Sequence, residues 1–119
     1  IVNAADAADL TDAFADFGVA DIIVASLGAG AGAGTLDALG YDGLRSGFDE
    51  KFWPTWNIIQ ASRTYLDAQG ALILVGAARA HSAAADAVGL AAVHGSLAAM
   101  VPSLAVALLQ GESTLLRLA

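Results

Sequence analysis

Asp21-Ile22-Ile23-Val24-Ala25-Ser26 is a short apolar segment rich in β-branched residues, and glycines at positions 18 and 28 bound it. A segment of this length and composition is typical of a strand buried in the core of a sheet. A second segment, Ala71-Leu72-Ile73-Leu74-Val75, has the same character, and helical patterns lie around the two. Because buried strands alternate with helices, the sequence predicts an α/β fold with a parallel sheet.

The remaining elements are predicted from helical periodicity and from capping residues. Three helices and a last strand are expected at about Asp9–Asp16, Phe48–Leu66, Val88–Leu109 and Ser113–Leu118. Asp9 or Thr11 is the expected cap of the first helix, and Gly18 closes it. Pro54 suits the first turn of a helix that starts near Trp53, or a kink. Residues 1–119 thus form one domain, or one piece of a domain.

The composition is apolar and acidic. Apolar residues make up 57% of the 119 residues and charged residues 14%, the formal net charge is −7, and Lys51 is the only lysine. Nucleic acid is a poor partner for such a surface, because neutralising phosphates requires clustered Lys and Arg. The absence of cysteine excludes disulfides, thiolate catalysis and zinc–thiolate sites. It also agrees with a cytoplasmic location.

One stretch invites a membrane interpretation. Residues 87–111 contain no Asp, Glu, Lys or Arg and are long enough to span a bilayer. The same stretch contains His94, Ser96, Pro102 and Gln110 among many Ala and Gly residues. A helix buried in a subunit interface is the favoured interpretation, and a spanning helix is the alternative.

Four stretches, in this order, resemble the middle of a short-chain dehydrogenase/reductase. Phe17-Gly18-Val19-Ala20-Asp21-Ile22-Ile23-Val24 resembles that family's entry into its fourth strand, and Gly70-Ala71-Leu72-Ile73-Leu74-Val75 resembles its fifth. Residues 56–61 resemble the long helix between those strands, and residues 97–105 resemble the helix that carries the catalytic Tyr and Lys. The resemblance covers nearly the whole chain and implies a Rossmann-like three-layer parallel sheet.

The catalytic positions that the resemblance implies carry other residues. The family uses a Tyr as general acid and base, a Lys four residues later that lowers the pKa of the Tyr, and a Ser that polarises the substrate carbonyl. Here the Tyr position falls on Leu90, the Lys position on His94 and the Ser position on Ala77. Asn57 fits the place of a helix Asn that holds a water relay in the family, although packing is its favoured role here. The resemblance therefore implies a catalytically degenerate chain that is inactive in isolation.

The resemblance begins at about the third strand of the family's sheet, so the fold is expected to be incomplete on the side of the first and second strands. The family binds its dinucleotide there. In the family's strand order, 3-2-1-4-5-6-7, the fourth strand would then expose an edge. Another segment or chain covers that edge, or the region is built differently, or further sequence precedes it. No cofactor is expected in this chain, and NAD(P) is expected, if anywhere, in a partner subunit.

A glycine-rich stretch offers a competing interpretation. Gly28-Ala29-Gly30-Ala31-Gly32-Ala33 satisfies the dinucleotide pattern G-x-G-x-x-G/A after a strand, and Asp49 lies about 20 residues further on, where a ribose-binding acid would sit. Any alternating Gly–Ala stretch matches this pattern, and the residues after Gly34 form a short helix at best. A mobile loop is the favoured interpretation, and Gly28, Gly30 and Asp49 are the cofactor-binding candidates.

His81 and His94 are the candidates for a metal ligand or a general base. Asp86 is the only acidic residue between them, so no ligand set at metal spacing surrounds them. No metal site is therefore predicted.

The two long helices, residues 48–66 and 88–109, correspond to those through which subunits of the resembling family associate. The favoured hypothesis is a non-catalytic subunit that associates through them with itself or with an active homologue in an oxidoreductase complex. By analogy, that complex would be of the hydroxyacyl-CoA dehydrogenase type. The alternatives are an NAD(P)-dependent oxidoreductase with an altered site, using His94 with Asn57, and a small-molecule binding module around residues 28–34.

Overall fold

The computed structural model describes residues 2–28, 30–78, 82–108 and, as backbone, 115–118. Its elements are α1 (Ala7–Phe17), β1 (Ala20–Ala25), α2 (Tyr41–Gly47), a π-helical segment (Phe48–Phe52), α3 (Trp53–Tyr65), β2 (Leu66–Leu74), α4 (Val88–Leu108) and β3 (Leu115–Leu118). We call Phe48–Phe52 the π-turn. The alternation of helices and strands agrees with the sequence prediction, except that α2 is not among the predicted elements.

The three strands form one parallel sheet in the order β1-β2-β3. Ile23 pairs with Leu72 and Ala25 with Leu74, and β3 lies on the other side of β2. The predicted α/β class and parallel sheet are confirmed. β1 matches the predicted strand closely, whereas β2 begins at Leu66 rather than at Ala71.

The helices that pack on the sheet cover one of its faces. The core cluster contains Ile23, Ala25, Leu72 and Leu74 from the strands and Leu10, Ile58 and Ile59 from α1 and α3, and Met100, Val101, Leu104 and Leu108 of α4 pack against it. Alternate residues of a strand point to opposite faces, so Ile22 and Val24 point away from the helices. They are 62% and 53% exposed. We call this side of the sheet the bare face, because no described residue forms a helical layer on it.

α1 begins earlier than predicted. The carboxylate of Asp6 accepts hydrogen bonds from the N–H groups of Ala8 at 3.0 Å and Asp9 at 3.1 Å. Asp6 is therefore the N-cap, and the predicted caps at Asp9 and Thr11 are wrong. Gly18 closes the helix with a φ of 87°, a left-handed value that glycine adopts without strain, and this prediction is confirmed.

The helix predicted over Phe48–Leu66 is divided. Its first part is the π-turn, its second is α3 with Pro54 at the start, and Leu66 already belongs to β2. Proline has no N–H to donate to the carbonyl four residues before it, so the turn ahead of Pro54 widens from α-helical to π-helical bonding. The prediction of a helix start near Trp53 is confirmed.

α4 extends from Val88 to Leu108 with Pro102 inside it, and the predicted helix end at Leu109 and Gly111 lies outside the described residues. Among the described residues, α4 is the one helix long and apolar enough to cross a membrane, and 22% of its most apolar window is buried in the fold. The core helix of a water-soluble protein passes the same test, so length and composition alone do not assign α4 to a membrane.

Candidate functional site

The carboxyl ends of β1 and β2 lie side by side, because the two strands are parallel and paired. Ligands of open parallel sheets bind in the crevice beyond these ends, where loops and helix N-termini converge. The chain leaves the two ends at Ser26 and Val75, and α4 contacts both α2 and the π-turn nearby. These segments therefore form the candidate site.

Lys51 of the π-turn joins the two strand ends. Its Nζ donates hydrogen bonds to the carbonyl oxygens of Leu27 and Val75, both at 2.8 Å. Leu27 follows β1 and Val75 follows β2, so one ammonium group bridges the strands where their own pairing ends. Lys51 is 3% exposed. Burial lowers the pKa of Lys51 from its ordinary value, because desolvation disfavours the charged form.

Glu50, the neighbour of Lys51, holds the glycine-rich loop. Its Oε2 accepts hydrogen bonds from the N–H groups of Gly30 at 3.1 Å and Ala31 at 2.9 Å. Consecutive N–H groups that converge on one oxygen form an anion-binding concavity, and here the anion is the chain's own carboxylate. A pyrophosphate bound to these N–H groups would have to displace Glu50.

Three glycines pack this loop against two helices. Gly32 is buried, with a φ of 88°, between Gly47 at the end of α2 and Gly89 in the first turn of α4. A Cβ on Gly89 would overlap the carbonyl oxygen of Gly32, and a Cβ on Gly47 would lie 3.2 Å from the Cα of Gly32. Gly34 forms a parallel β-bridge with Ala87. These contacts hold residues 30–34 of the loop against α2, the π-turn and the start of α4.

The residues at this loop do not fit a dinucleotide. The nucleotide-binding arrangement needs a helix N-terminus directly after the glycines, but α2 begins only at Tyr41 and turns precede it. The N–H of Gly30 is bonded to Glu50. Asp49, the predicted ribose-binding residue, is exposed and forms an ion pair with Arg45, with 3.6 Å between Oδ2 and Nε. Gly28, Gly30 and Asp49 are thus not arranged as a cofactor site.

The positions of the expected catalytic residues lie around the same end of the sheet. Leu90 and His94 are one helical turn apart in α4, so they share a side of that helix. Ala77 follows β2 and is half-buried. His94 is 3% exposed. Because Leu and Ala have no titratable group, His94 is the only one of the three positions that could transfer a proton.

Asn57 is used in packing α3 against the start of α1. Its Nδ2 donates to the carbonyl oxygens of Ala4 at 3.0 Å and Ala5 at 3.4 Å. Phe14 of α1 and Tyr65 of α3 stack further along the same pair of helices, with their ring centroids 5.7 Å apart. The side chain of Asn57 is therefore directed at the α1 segment.

Two cavities with partly polar linings lie near these contacts. One of ≈ 400 Å³ is lined by Val2, Asn3, Ala4, Ala5, Leu27, Asp49, Glu50 and Pro54. The other, of ≈ 270 Å³, lies between α1 and α3 and is lined by Ala7, Thr11, Asn57, Gln60, Ala61, Thr64 and Tyr65. The larger cavity has two acidic side chains and no basic one in its lining. Its charge suits a small neutral or cationic ligand and disfavours an anion.

No group of three His, Cys, Asp or Glu side chains that could hold a metal ion is found within residues 2–28, 30–78 and 82–108. His94 is buried in α4. His81, the other candidate ligand, lies outside the described residues.

The prediction from sequence missed Glu50 and Lys51, although it singled out their neighbour Asp49. The available signal was a single lysine in a strongly apolar chain. A lysine in such a chain is rarely buried unless its ammonium group finds acceptors.

No protein-family model and no curated protein sequence matches the chain. Solved structures do match. The chain resembles a small-chain dehydrogenase with a TM-score of 0.83 and 21% identity, over 97% of this chain and 62% of that one. It resembles a small-chain dehydrogenase in complex with NADPH with a TM-score of 0.81 and 22% identity, over 90% of this chain and 49% of that one. A short-chain dehydrogenase/reductase from Serratia marcescens gives 0.76 and 23%, over 89% and 50%.

These comparisons confirm the expected resemblance to short-chain dehydrogenases/reductases as a likeness of fold. The chain spans between 49% and 62% of the length of these three structures. It therefore has the fold of a part of such an enzyme, with the three described strands in the order expected for that part.

Proposed function

We propose that this chain is a non-catalytic member of the short-chain dehydrogenase/reductase family that assembles with itself or with an active homologue in an oxidoreductase complex. The observation that carries the proposal is the exposed side of α4, which has no charged residue. That side comprises Val88, Ala92, Ala99, Pro102, Ser103, Val106 and Ala107. A fully solvated helix normally presents charged residues to water, and an uncharged exposed side is typical of a contact surface.

The replaced catalytic positions support the same proposal. Leu90 and Ala77 stand where the resemblance implies a proton-transferring Tyr and a carbonyl-polarising Ser. The single lysine is held by the carbonyl groups of Leu27 and Val75 at the strand ends. Leu90 and Ala77 supply neither the proton-transferring group nor the hydrogen-bond donor that the family's reaction requires, and the ammonium group of Lys51 is engaged by backbone carbonyls.

The partner contact is proposed to involve α3 as well as α4, within residues 48–66 and 88–109. Trp53 at the start of α3 is 52% exposed, and Val106 near the end of α4 is 72% exposed. Large apolar side chains exposed on both long helices provide anchors of the kind that dominate protein interfaces. The complex is proposed to be cytoplasmic, with NAD(P) bound by the partner and, by analogy of fold, a hydroxyacyl-CoA substrate.

The assembly is tested by native mass spectrometry and light scattering on the full chain, alone and with an active short-chain dehydrogenase of the same source. We expect a dimer or a mixed complex for the natural sequence and dissociation for Val106→Asp. Leu36→Asp is the matched control, because Leu36 is also 72% exposed but lies in the loop before α2. A chain that stays monomeric at all concentrations and binds no homologue contradicts the proposal.

The second candidate function is an oxidoreductase or ligand-binding module with an altered site. The observations in its favour are the buried imidazole of His94 and the ≈ 400 Å³ cavity at the carboxyl end of β1. The discriminating measurement is a fluorescence titration of the isolated chain with NADH and NADPH. Saturable binding that is lost in His94→Ala favours this candidate, and no binding favours the first.

A further inference from the structure

The backbone of the glycine-rich loop has the geometry of a small site for an oxyanion. The N–H groups of Gly30 and Ala31 converge on a single carboxylate oxygen, Oε2 of Glu50, at 3.1 and 2.9 Å. Consecutive N–H groups of a turn bind the oxygens of carboxylates and phosphates alike, because both are charged hydrogen-bond acceptors. The chain's own carboxylate therefore marks the position that an oxygen of an external anion would occupy.

The turn that presents these two N–H groups is held by contacts that do not involve Glu50. Gly32, the residue after Ala31, is buried with a φ of 88°, and its backbone packs on Gly47 of α2 and Gly89 of α4. These contacts fix the backbone directly after the two N–H groups. The site is therefore preorganised, and its N–H groups should keep their direction when the carboxylate leaves.

The site is open to solvent. Gly30 and Glu50 are both exposed, and a Cβ on Gly30 would meet no atom within 4 Å. The side chain of Glu50 can leave by rotation about its own bonds, while Lys51 keeps the π-turn bonded to the carbonyl oxygens of Leu27 and Val75. An anion in solution therefore has access to the N–H groups without a change in the fold.

The carboxylate of Glu50 is a strong competitor for this site. A group fixed on the same chain acts at a far higher effective concentration than a free anion of the same chemistry. The surrounding charge acts in the same direction, since Asp49 precedes Glu50 and the net charge of the chain is −7. Free phosphate is therefore excluded as long as the carboxylate of Glu50 stays in place.

We propose that the N–H groups of Gly30 and Ala31 form a site for a phosphate group, and that Glu50 keeps this site closed by binding in the phosphate's place. The contact is autoinhibitory, because the loop beyond β1 admits a phosphate-bearing ligand only when the carboxylate is removed or withdrawn. The site lies at the carboxyl end of the sheet and requires no partner. It is therefore independent of the α4 contact, and its failure would leave the proposed function untouched.

A titration of the full chain with inorganic phosphate, followed by NMR at the amides of Gly30 and Ala31, tests this site. Chloride keeps the ionic strength constant during the titration. Glu50→Ala should bind phosphate at least about tenfold more tightly than the natural chain, with saturating shifts at those two amides. Asp49→Ala is the matched control, because it removes the same charge one residue away, from a side chain that pairs with Arg45.

A second pair of variants retains an acceptor oxygen for the loop. Glu50→Gln should bind phosphate more tightly than its control Asp49→Asn but more weakly than Glu50→Ala, because a neutral amide oxygen competes less well than a carboxylate.

Three results would overturn the proposal. Equal phosphate affinities in the Glu50 and Asp49 variants would mean that net charge alone controls binding. Phosphate binding to the natural chain as tight as to Glu50→Ala would mean that the carboxylate closes nothing. Acetate that binds Glu50→Ala more tightly than phosphate would rule out phosphate as the ligand, since the more highly charged anion is expected to bind more tightly.

Discussion

The two faces of the sheet come from the same strands and similar residues, but they have opposite surroundings. On the helical face, Leu72 and Leu74 are 0% and 1% exposed, whereas Ile22 and Val24 on the bare face are more than half exposed. The alternation along a strand determines which residues share a face. It does not determine what covers that face. Residues of the helical face therefore contribute to the stability of the isolated chain, whereas residues of the bare face are exposed and can contribute to assembly.

The largest expected effect contrasts one residue from each face. Leu72→Ala should lower the free energy of unfolding by about 3 kcal/mol, because it removes a fully buried side chain and leaves a cavity. Ile22→Ala should cost the isolated chain well under 1 kcal/mol, since the side chain is mostly in water. Urea denaturation of both variants measures the two losses. Equal losses would mean that the bare face is covered in the isolated chain.

Two glycines of α4 have different surroundings, because the space beside Gly89 is occupied and the space beside Gly95 is open. Gly89→Ala should destabilise the fold by about 2 kcal/mol, because the new methyl group meets the carbonyl oxygen of Gly32. Gly95→Ala is the control, since a Cβ there meets nothing within 4 Å. It should stabilise the fold by up to about 1 kcal/mol through helix propensity. Thermal melting of the two variants should therefore shift in opposite directions, and shifts of the same sign would contradict the packing of the loop.

Lys51 is also buried. Replacing its side chain should lower the free energy of unfolding by less than Leu72→Ala or Gly89→Ala. Lys51→Met keeps most of the apolar stem but leaves the carbonyl oxygens of Leu27 and Val75 without their donor. The loss of two charge-assisted hydrogen bonds, offset by the relief of a buried charge, should cost about 1.5 kcal/mol. Urea denaturation gives the value, and amide exchange at residues 26–28 should accelerate. An unchanged stability would mean that the bridge contributes nothing net.

The smallest change in the free energy of unfolding is expected when the pH is raised into the alkaline range. The pKa of Lys51 is lower in the folded protein than its ordinary value of 10.5, because burial disfavours the charged form. Between the folded and the unfolded pKa, the unfolded chain keeps a proton that the folded protein has lost. The contribution of Lys51 to the free energy of unfolding should therefore increase as pH rises through its folded pKa towards 10.5.

The difference in unfolding free energy between the natural chain and Lys51→Met isolates this contribution. Denaturation at a series of alkaline pH values should show the difference moving in favour of the natural chain as pH rises. Movement in the other direction would mean that the two carbonyl acceptors outweigh the desolvation of the ammonium group.

Local patterns in the sequence predicted the elements that depend on local forces. The β-branched segment around Ile23 formed a strand, Gly18 closed α1, and Pro54 started α3. The resemblance in the order of these elements was enough to predict the parallel sheet and the likeness to short-chain dehydrogenases. Asp6 was missed as a cap because Asp9 and Thr11 lie closer to the apolar pattern of the helix.

The contacts at the carboxyl end of the sheet were not predictable from local patterns. Glu50 bonds to Gly30, and Lys51 bonds to Leu27 and Val75, across 20 and 24 residues of chain. Composition suggested a mobile Gly–Ala loop, and it could not show that the small size of the residues allows Gly32 to approach Gly47 and Gly89 closely. Periodicity likewise identified Ile22 and Val24 as buried strand residues and could not reveal which face the helices cover.

The π-turn constrains the number of residues that this segment can contain. Deleting one residue between Phe48 and Phe52 would convert the widened turn into ordinary α-helix and rotate the preceding chain by about 100° relative to α3. Glu50 and Lys51 could not then both reach their partners, and Gly47 would leave Gly32. Single substitutions in this stretch should be tolerated more readily than a change in its residue count, whereas residues 35–40, in the loop before α2, should accept insertions at little cost.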